Sequence, residues 1–198
     1  MSRLVLATRN PHKVGELQAI LASTGLDVEL VGLPDGAPDV VEDGLTFAAN
    51  AATKARSAAA FTGLPAAADD SGLCVDVLNG MPGVFSARWA GAHGDDAANL
   101  RLVLHQVADV ADEHRGAAFV CAAALALPSG EERVAEGRLE GVLVRAPRGT
   151  GGFGYDPAFV PYGHEVTTAE MAPEEKNVIS HRGNAFRALA PAIRELLA

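Results

Sequence analysis

Asp69 and Asp70 stand side by side at the end of an apolar run, Leu64-Pro65-Ala66-Ala67-Ala68, and Ser71-Gly72 follow at once. Carboxylates that close a buried strand need a positive partner. A divalent cation held by hard oxygen ligands is one such partner, and such a cation commonly arrives with phosphate. Three further stretches carry groups suited to a nucleotide. Thr8-Arg9-Asn10-Pro11-His12-Lys13 reads as a polar turn opening a helix, where free backbone N–H groups and the helix dipole favour an anion. It lacks the Gly-Lys-Ser/Thr ending of a Walker loop. Lys54 lies one turn after Asn50, on the same helix face, and can meet phosphate as a point charge. Lys176 and Ser180-His181-Arg182-Gly183 gather donors that suit a base carbonyl or a phosphate. Together these stretches suggest a metal-dependent enzyme acting on a nucleoside triphosphate.

Two more features fit that chemistry. Glu42 belongs to an acidic stretch, Asp39-Val40-Val41-Glu42-Asp43, and gains meaning if it faces the aspartate pair, since Mg²⁺ usually takes one or two carboxylates and completes its shell with phosphate and water. Because neighbouring strand residues point to opposite faces, Asp69 and Asp70 cannot both enter one site unless the strand has already ended. One as metal ligand and general base, with the other in support, is the economical division. Gly149-Thr150-Gly151-Gly152-Phe153-Gly154-Tyr155-Asp156-Pro157 has the spacing of a dinucleotide fingerprint. Pro157 and the aromatic pair argue against that motif, which should open a helix within a βαβ unit. A glycine loop bearing Phe153 and Tyr155 suits close approach to a flat base.

The elements that must hold these groups can be read from periodicity and punctuation. Leu4–Ala7 reads as a strand, Asn10 as the cap of a helix with Val14, Leu17, Ile20 and Leu21 on one face, and Asp27–Val31 as a second strand. Thr46–Phe61 reads as an Ala-rich helix. A strand is expected to end at Asp69-Asp70, with another short one over Leu73–Leu78. Asp95–Val110 reads as an amphipathic helix and Ala117–Leu127 as a long strand. Glu132–Glu136 and Arg138–Val144 complete an antiparallel meander. Arg182–Leu197 reads as a C-terminal helix interrupted or restarted near Pro191. The expectation is an α/β fold: a mixed twisted sheet flanked by helices, in two lobes with a central nucleotide-binding cleft, with residues 1–198 as one domain.

Composition narrows the classes. At 198 residues and 48% hydrophobic, the chain can bury a sizeable core and should fold. A net charge of −9 argues against nucleic-acid binding, which needs a basic footprint. Cys74 and Cys121 sit in apolar runs without metal-ligand spacing and read as core residues of a reducing compartment. No stretch looks like a secretory signal, and the longest apolar run, Ala117–Leu127, is too short for a bilayer. A cytoplasmic protein is expected, with no nucleic-acid or membrane partner.

In order along the chain, these stretches closely resemble the inosine triphosphate pyrophosphatase family. The matching residues are Ala7 to Lys13, Glu42 with Gly44-Leu45-Thr46-Phe47, Asn50, Lys54-Ala55-Arg56, and Ala68-Asp69-Asp70-Ser71-Gly72-Leu73. They continue with Pro82-Gly83, Ser86-Ala87-Arg88, Gly149 to Pro157, Glu175-Lys176 and Ile179-Ser180-His181-Arg182-Gly183. The resemblance spans essentially the whole chain. It implies hydrolysis of deaminated purine nucleoside triphosphates (dITP, ITP, XTP) to the monophosphate and pyrophosphate, with Mg²⁺ as cofactor and a homodimer as the assembly. It implies that Thr8, Arg9, Asn10, Pro11, His12, Lys13 and Lys54 bind the triphosphate and that Ser71 touches substrate. Asp70 becomes the metal-associated base, Glu42 a further metal ligand and Asp69 its support. Phe153, Gly154, Tyr155, Asp156, Lys176, His181 and Arg182 then line the nucleoside pocket. A pyrophosphatase of broader or pyrimidine specificity, and a nucleotide sensor without turnover, are the alternatives.

Overall fold

β1 (Ser2–Leu6) is a short, largely buried strand that runs into Thr8-Arg9-Asn10 and then α1 (Pro11–Ser23). The computed structural model describes residues 2–197; the side chains of Pro11 and His12 lie outside the described residues, and the phosphate contacts expected of them with it. α1 buries Leu17, Ile20 and Leu21, the face its spacing announced. β2 (Val28–Gly32) then returns parallel to β1, with Leu4 opposite Leu30. This βαβ opening needs a helical crossover, which α1 supplies.

α2 (Phe47–Thr62) is capped by Thr46, whose hydroxyl accepts the Ala49 N–H at 3.1 Å. Its buried face is almost all alanine, with Asn50 the polar exception. β3 (Ala66–Val75) lies parallel to β1, with Val5 opposite Ala66. The strand does not end at Asp69-Asp70, and no separate strand covers Leu73–Leu78. β3 runs on to Val75, and Asp76–Leu78 form a short 3-10 turn. Two causes are visible. The aspartates find positive and amide partners where they stand, so the chain need not turn them to solvent. Beyond them, the Leu73 N–H donates to Ser86 Oγ at 2.9 Å. Gly72 is there for close approach: a Cβ would collide with the Ser86 side chain and the Gly83 carbonyl.

α3 (Asp96–Gln106) is capped by Asp95, which accepts the Ala98 N–H at 2.9 Å, and it stops about a turn short of the expected Val110. β4 (Gly116–Ala126) and β5 (Glu132–Leu143) are joined by a tight turn closed by Leu127 N–H to Glu131 O at 2.9 Å. β5 is one strand where two pieces were expected. β6 (Phe159–Pro161) pairs antiparallel with it, Val142 opposite Val160, and was not foreseen. α4 (Pro173–Ile179) was also not foreseen and carries Lys176. α5 (His181–Leu197) passes through Pro191 without restarting. The buried row Ala185, Phe186, Leu189, Ala190 and Ile193 holds it in place despite the one N–H that proline removes.

The six strands form one mixed sheet in the order β2-β1-β3-β4-β5-β6, flanked by helices. The chain divides into two compact units. The first comprises residues 1–70, 121–137 and 180–198. Its core has one cluster built on Leu4, Leu6, Leu17, Ile20, Leu125, Phe186 and Ile193, and a second, alanine-rich cluster around α2. The second unit comprises residues 71–120 and 138–179, with a core of Leu73, Val75, Val103, Val107, Phe119, Leu143, Tyr155 and Phe159. No helix among the described residues is long and apolar enough to cross a membrane.

Candidate active site

In the first unit, the alternation of β3 sends its two aspartates to different partners. Asp69 Oδ2 accepts from Lys13 Nζ at 3.0 Å and from Arg182 Nε at 3.2 Å, and its side chain is 1% exposed. Arg182 also pairs with Glu16 on α1. Burial, the largest influence on Asp69, opposes its charge, but Lys13, Arg182 and Lys54 outweigh it and hold the carboxyl well below the ordinary range. Asp70 meets a different set. Its Oδ2 accepts from Asn50 Nδ2 at 3.0 Å and its Oδ1 from Lys54 Nζ at 3.1 Å. Burial pushes the Asp70 carboxyl up, with Glu42 adding to the shift and Lys54 and Asn50 opposing it. Two adjacent carboxylates are thus driven apart in proton affinity by their surroundings.

Lys54 Nζ also donates to Glu42 Oε1 at 3.2 Å, so Glu42 and Asp70 converge on one ammonium. Burial disfavours that charge most strongly, yet Asp70, Asp69 and Glu42 outweigh it and raise the Lys54 ammonium above its ordinary value. Asn50 ties the acidic loop to the strand. It donates to Asp70 and accepts the Gly44 N–H at 2.8 Å. In the Thr8–Lys13 turn, Thr8 Oγ1 accepts the Asn10 N–H at 3.2 Å and Asn10 O accepts the Val14 N–H. Arg9 donates to the Asp39 carboxylate and the Ala37 carbonyl, so its charge faces the acidic loop. Ser180 Oγ accepts the Gly183 N–H at 2.9 Å at the head of α5, where His181 and Arg182 are both buried.

The other candidates belong to the second unit. Ser71 follows Asp70 on β3. Asp156 is 3% exposed and organises the glycine loop: its Oδ2 accepts the Phe153 N–H at 2.9 Å and Lys176 Nζ at 2.7 Å, and its Oδ1 accepts Thr168 Oγ1 at 2.8 Å. Gly152, at φ 69°, packs so tightly on this carboxylate that any Cβ would strike it. Lys176 Nζ stands 5.3 Å from the centre of the Phe153 ring. The Gly154 N–H donates to Asp96 at 2.9 Å, and the buried Tyr155 hydroxyl donates to Ser86 O at 2.8 Å.

A model of the Ham1 family matches residues 4–192. The chain belongs to the Ham1 family. It is 66% identical to a dITP/XTP pyrophosphatase of Streptomyces coelicolor over the full length of both chains. It is 54% identical to a nucleoside-triphosphatase/dITP/XTP pyrophosphatase of Mycobacterium abscessus of known crystal structure, covering 96% of this chain and 99% of that one with a TM-score of 0.77. The HAM1 protein of Coxiella burnetii is 43% identical, with 98% and 100% coverage and a TM-score of 0.88.

For this Ham1 chain, the residues that sequence reasoning passed over are the supports. Glu16 shares a helix face with Lys13 three positions earlier, a spacing that points to it. Asn50 was noted for its face but not for its bond to Asp70. Ser86 was noted within the matching Ser86-Ala87-Arg88 stretch but not for its bonds to Leu73 and Tyr155. Asp96 and Thr168 lie outside the loop they brace and carry no local signal. Cys121 is fully buried with its sulfur 4.0 Å from Asp69, and burial pushes its thiol up, with Asp69 adding to the shift. A raised thiol forms less thiolate at any given pH. Cys121 is therefore expected to resist alkylation in the native protein at about pH 8 and to be labelled only after denaturation; peptide mass spectrometry after a timed pulse of iodoacetamide checks this.

Proposed function

We propose that the chain hydrolyses dITP, ITP and XTP to the nucleoside monophosphate and pyrophosphate, with Asp70 as general base, and that it does so as a cytoplasmic homodimer in which residues 1–198 act as one catalytic domain. The observation that carries the base assignment is the divergence of the two aspartates. Asp69 is consumed by Lys13 and Arg182, whereas Asp70 shares Lys54 with Glu42. The names borne by the full-length relatives support the substrate class.

The donor set fits Mg²⁺. Glu42 and Asp70 present hard carboxylate oxygens to one cationic position, and the described residues contain no group of three or more His, Cys, Asp or Glu able to hold a metal alone. That suits an ion which takes one or two carboxylates from the protein and the rest from phosphate and water. Glu42 and Asp70 would hold it. When bound, it neutralises charge on the phosphate oxygens. In this reading Asp70 orients a water and receives its proton. Lys54, Lys13 and the N–H groups of the Thr8–Lys13 turn bind the phosphate chain and stabilise the pyrophosphate that leaves. Arg9, Asn10, Pro11 and His12 complete the phosphate contacts, and Ser71 touches substrate.

Phe153, Gly154, Tyr155 and Asp156, with Lys176, His181 and Arg182, receive the nucleoside. Asp156 fixes the Lys176 ammonium beside the Phe153 ring, so a stacked base meets a donor held in place. Hypoxanthine and xanthine carry a carbonyl at C6 that accepts from such donors. Adenine carries an amino group there, and a donor facing a donor in a buried site costs a factor of about 10⁴ in selectivity. Product analysis tests the cleavage position. Inosine monophosphate and pyrophosphate in equal amounts from ITP, seen by ³¹P NMR, is the expected result. Inosine diphosphate with inorganic phosphate would overturn the assignment.

A further inference from the structure

Among the described residues, most buried charges stand in ion pairs. Asp69 has Lys13 and Arg182, Asp70 has Lys54, Asp156 has Lys176, and Arg182 has Asp69 and Glu16. Arg115 is 2% exposed, yet no carboxylate among the described residues stands at ion-pair distance from it. Its guanidinium donates instead to three backbone carbonyls: Nε to Leu143 O at 2.8 Å, one terminal nitrogen to Val107 O and the other to Val144 O at 2.9 Å. Those bonds use three of its five N–H groups and none of them cancels its charge. A buried charge without a counter-charge is costly. Burial, with Arg145 adding to it, pushes the Arg115 guanidinium below its ordinary value. Asp112 opposes the shift, but it also pairs with Arg145 at 2.8 Å. Arg145 donates besides to Ala108 O and Val110 O, so one acid serves two arginines.

Both arginines line one open cleft of about 270 Å³, together with Asp112, Val142, Leu143 and Val144. All of these residues lie in the second unit, outside every group assigned above to nucleotide. The volume falls below the range of roughly 300–1,000 Å³ usual for organic ligands, so it suits a small ion better than a nucleotide. The N–H groups that the two guanidiniums have left over, and their two charges against one acid, match an oxyanion that bears more than one charge and several acceptor oxygens. We propose that the Arg115–Arg145 cleft is a binding site for a small multiply charged oxyanion of the phosphate type. The ion adds to Asp112, the one acid that the two arginines share. The site is independent of the hydrolytic reading.

Titration of the ¹⁵N-labelled full chain with inorganic phosphate, against sodium chloride at matched ionic strength, tests this. The expected result is saturable shifts of the Arg115, Leu143, Val144 and Arg145 amides with phosphate and not with chloride. Arg145→Gln, at a half-exposed position that leaves the Arg115 bonds intact, should weaken that binding roughly tenfold while ITP turnover stays unchanged. Shifts confined to residues 8–13 and 54, shifts equalled by chloride, or undiminished binding in Arg145→Gln would each overturn the proposal.

Discussion

Asp70→Asn is expected to lower kcat for ITP by roughly 10²–10⁴-fold, the usual contribution of a positioned base, while the protein stays folded. The side chain keeps its size, so the strand and its neighbours need not move. Its chemistry changes twice. An amide cannot take a proton from water at neutral pH. It also has one oxygen where the carboxylate has two, and Asp70 uses both, one for Asn50 and one for Lys54. The amide nitrogen must then face one of those donors. Lys54 retains Glu42 as a partner, so the cost to the fold is small. Steady-state kinetics together with a thermal melt separate the two effects. A large drop in kcat with little change in Tm is the expected pattern.

Asp69→Ala should show the reverse emphasis. Asp69 is the shared acceptor of Lys13 and Arg182, and both it and Arg182 are nearly inaccessible to water. Removing one partner of a buried pair leaves the other charge uncompensated and costs about 3–5 kcal/mol. For a chain of this size that corresponds to a Tm lower by roughly 6–20 °C. Glu16 still meets Arg182 and keeps the loss towards the lower end. Differential scanning calorimetry measures it. If Asp69→Ala melts like the parent but loses all turnover below the melting point, the support role given to Asp69 fails.

The sequence made some of this legible and concealed the rest for physical reasons. The βαβ opening was plain because α1 shows a full apolar stripe and Asn10-Pro11 marks its start. The Ala-rich α2 was plain from its length and its threonine cap. The sequence predicts too short a β3 because two aspartates and a Ser-Gly pair ordinarily mark a strand end, and only partners far along the chain, Arg182 and Ser86, reveal why the strand continues. β6 and α4 were missed: β6 has three residues and α4 seven, too few to show a period. Within the candidate site, the chemistry-bearing residues could be singled out by type. Their pairings could not, because Lys13 with Asp69, Lys54 with Glu42 and Lys176 with Asp156 are contacts of the folded chain.

The most direct measurement of the central claim is pyrophosphate release from ITP, XTP, GTP and ATP in the presence of Mg²⁺, with the parent and Asp70→Asn assayed side by side. Fast release from ITP and XTP, slow release from ATP, whose base lacks the C6 carbonyl, and a roughly 10²–10⁴-fold fall in release in Asp70→Asn is the predicted result. Equal release from all four nucleotides, or full activity in Asp70→Asn, would contradict the account.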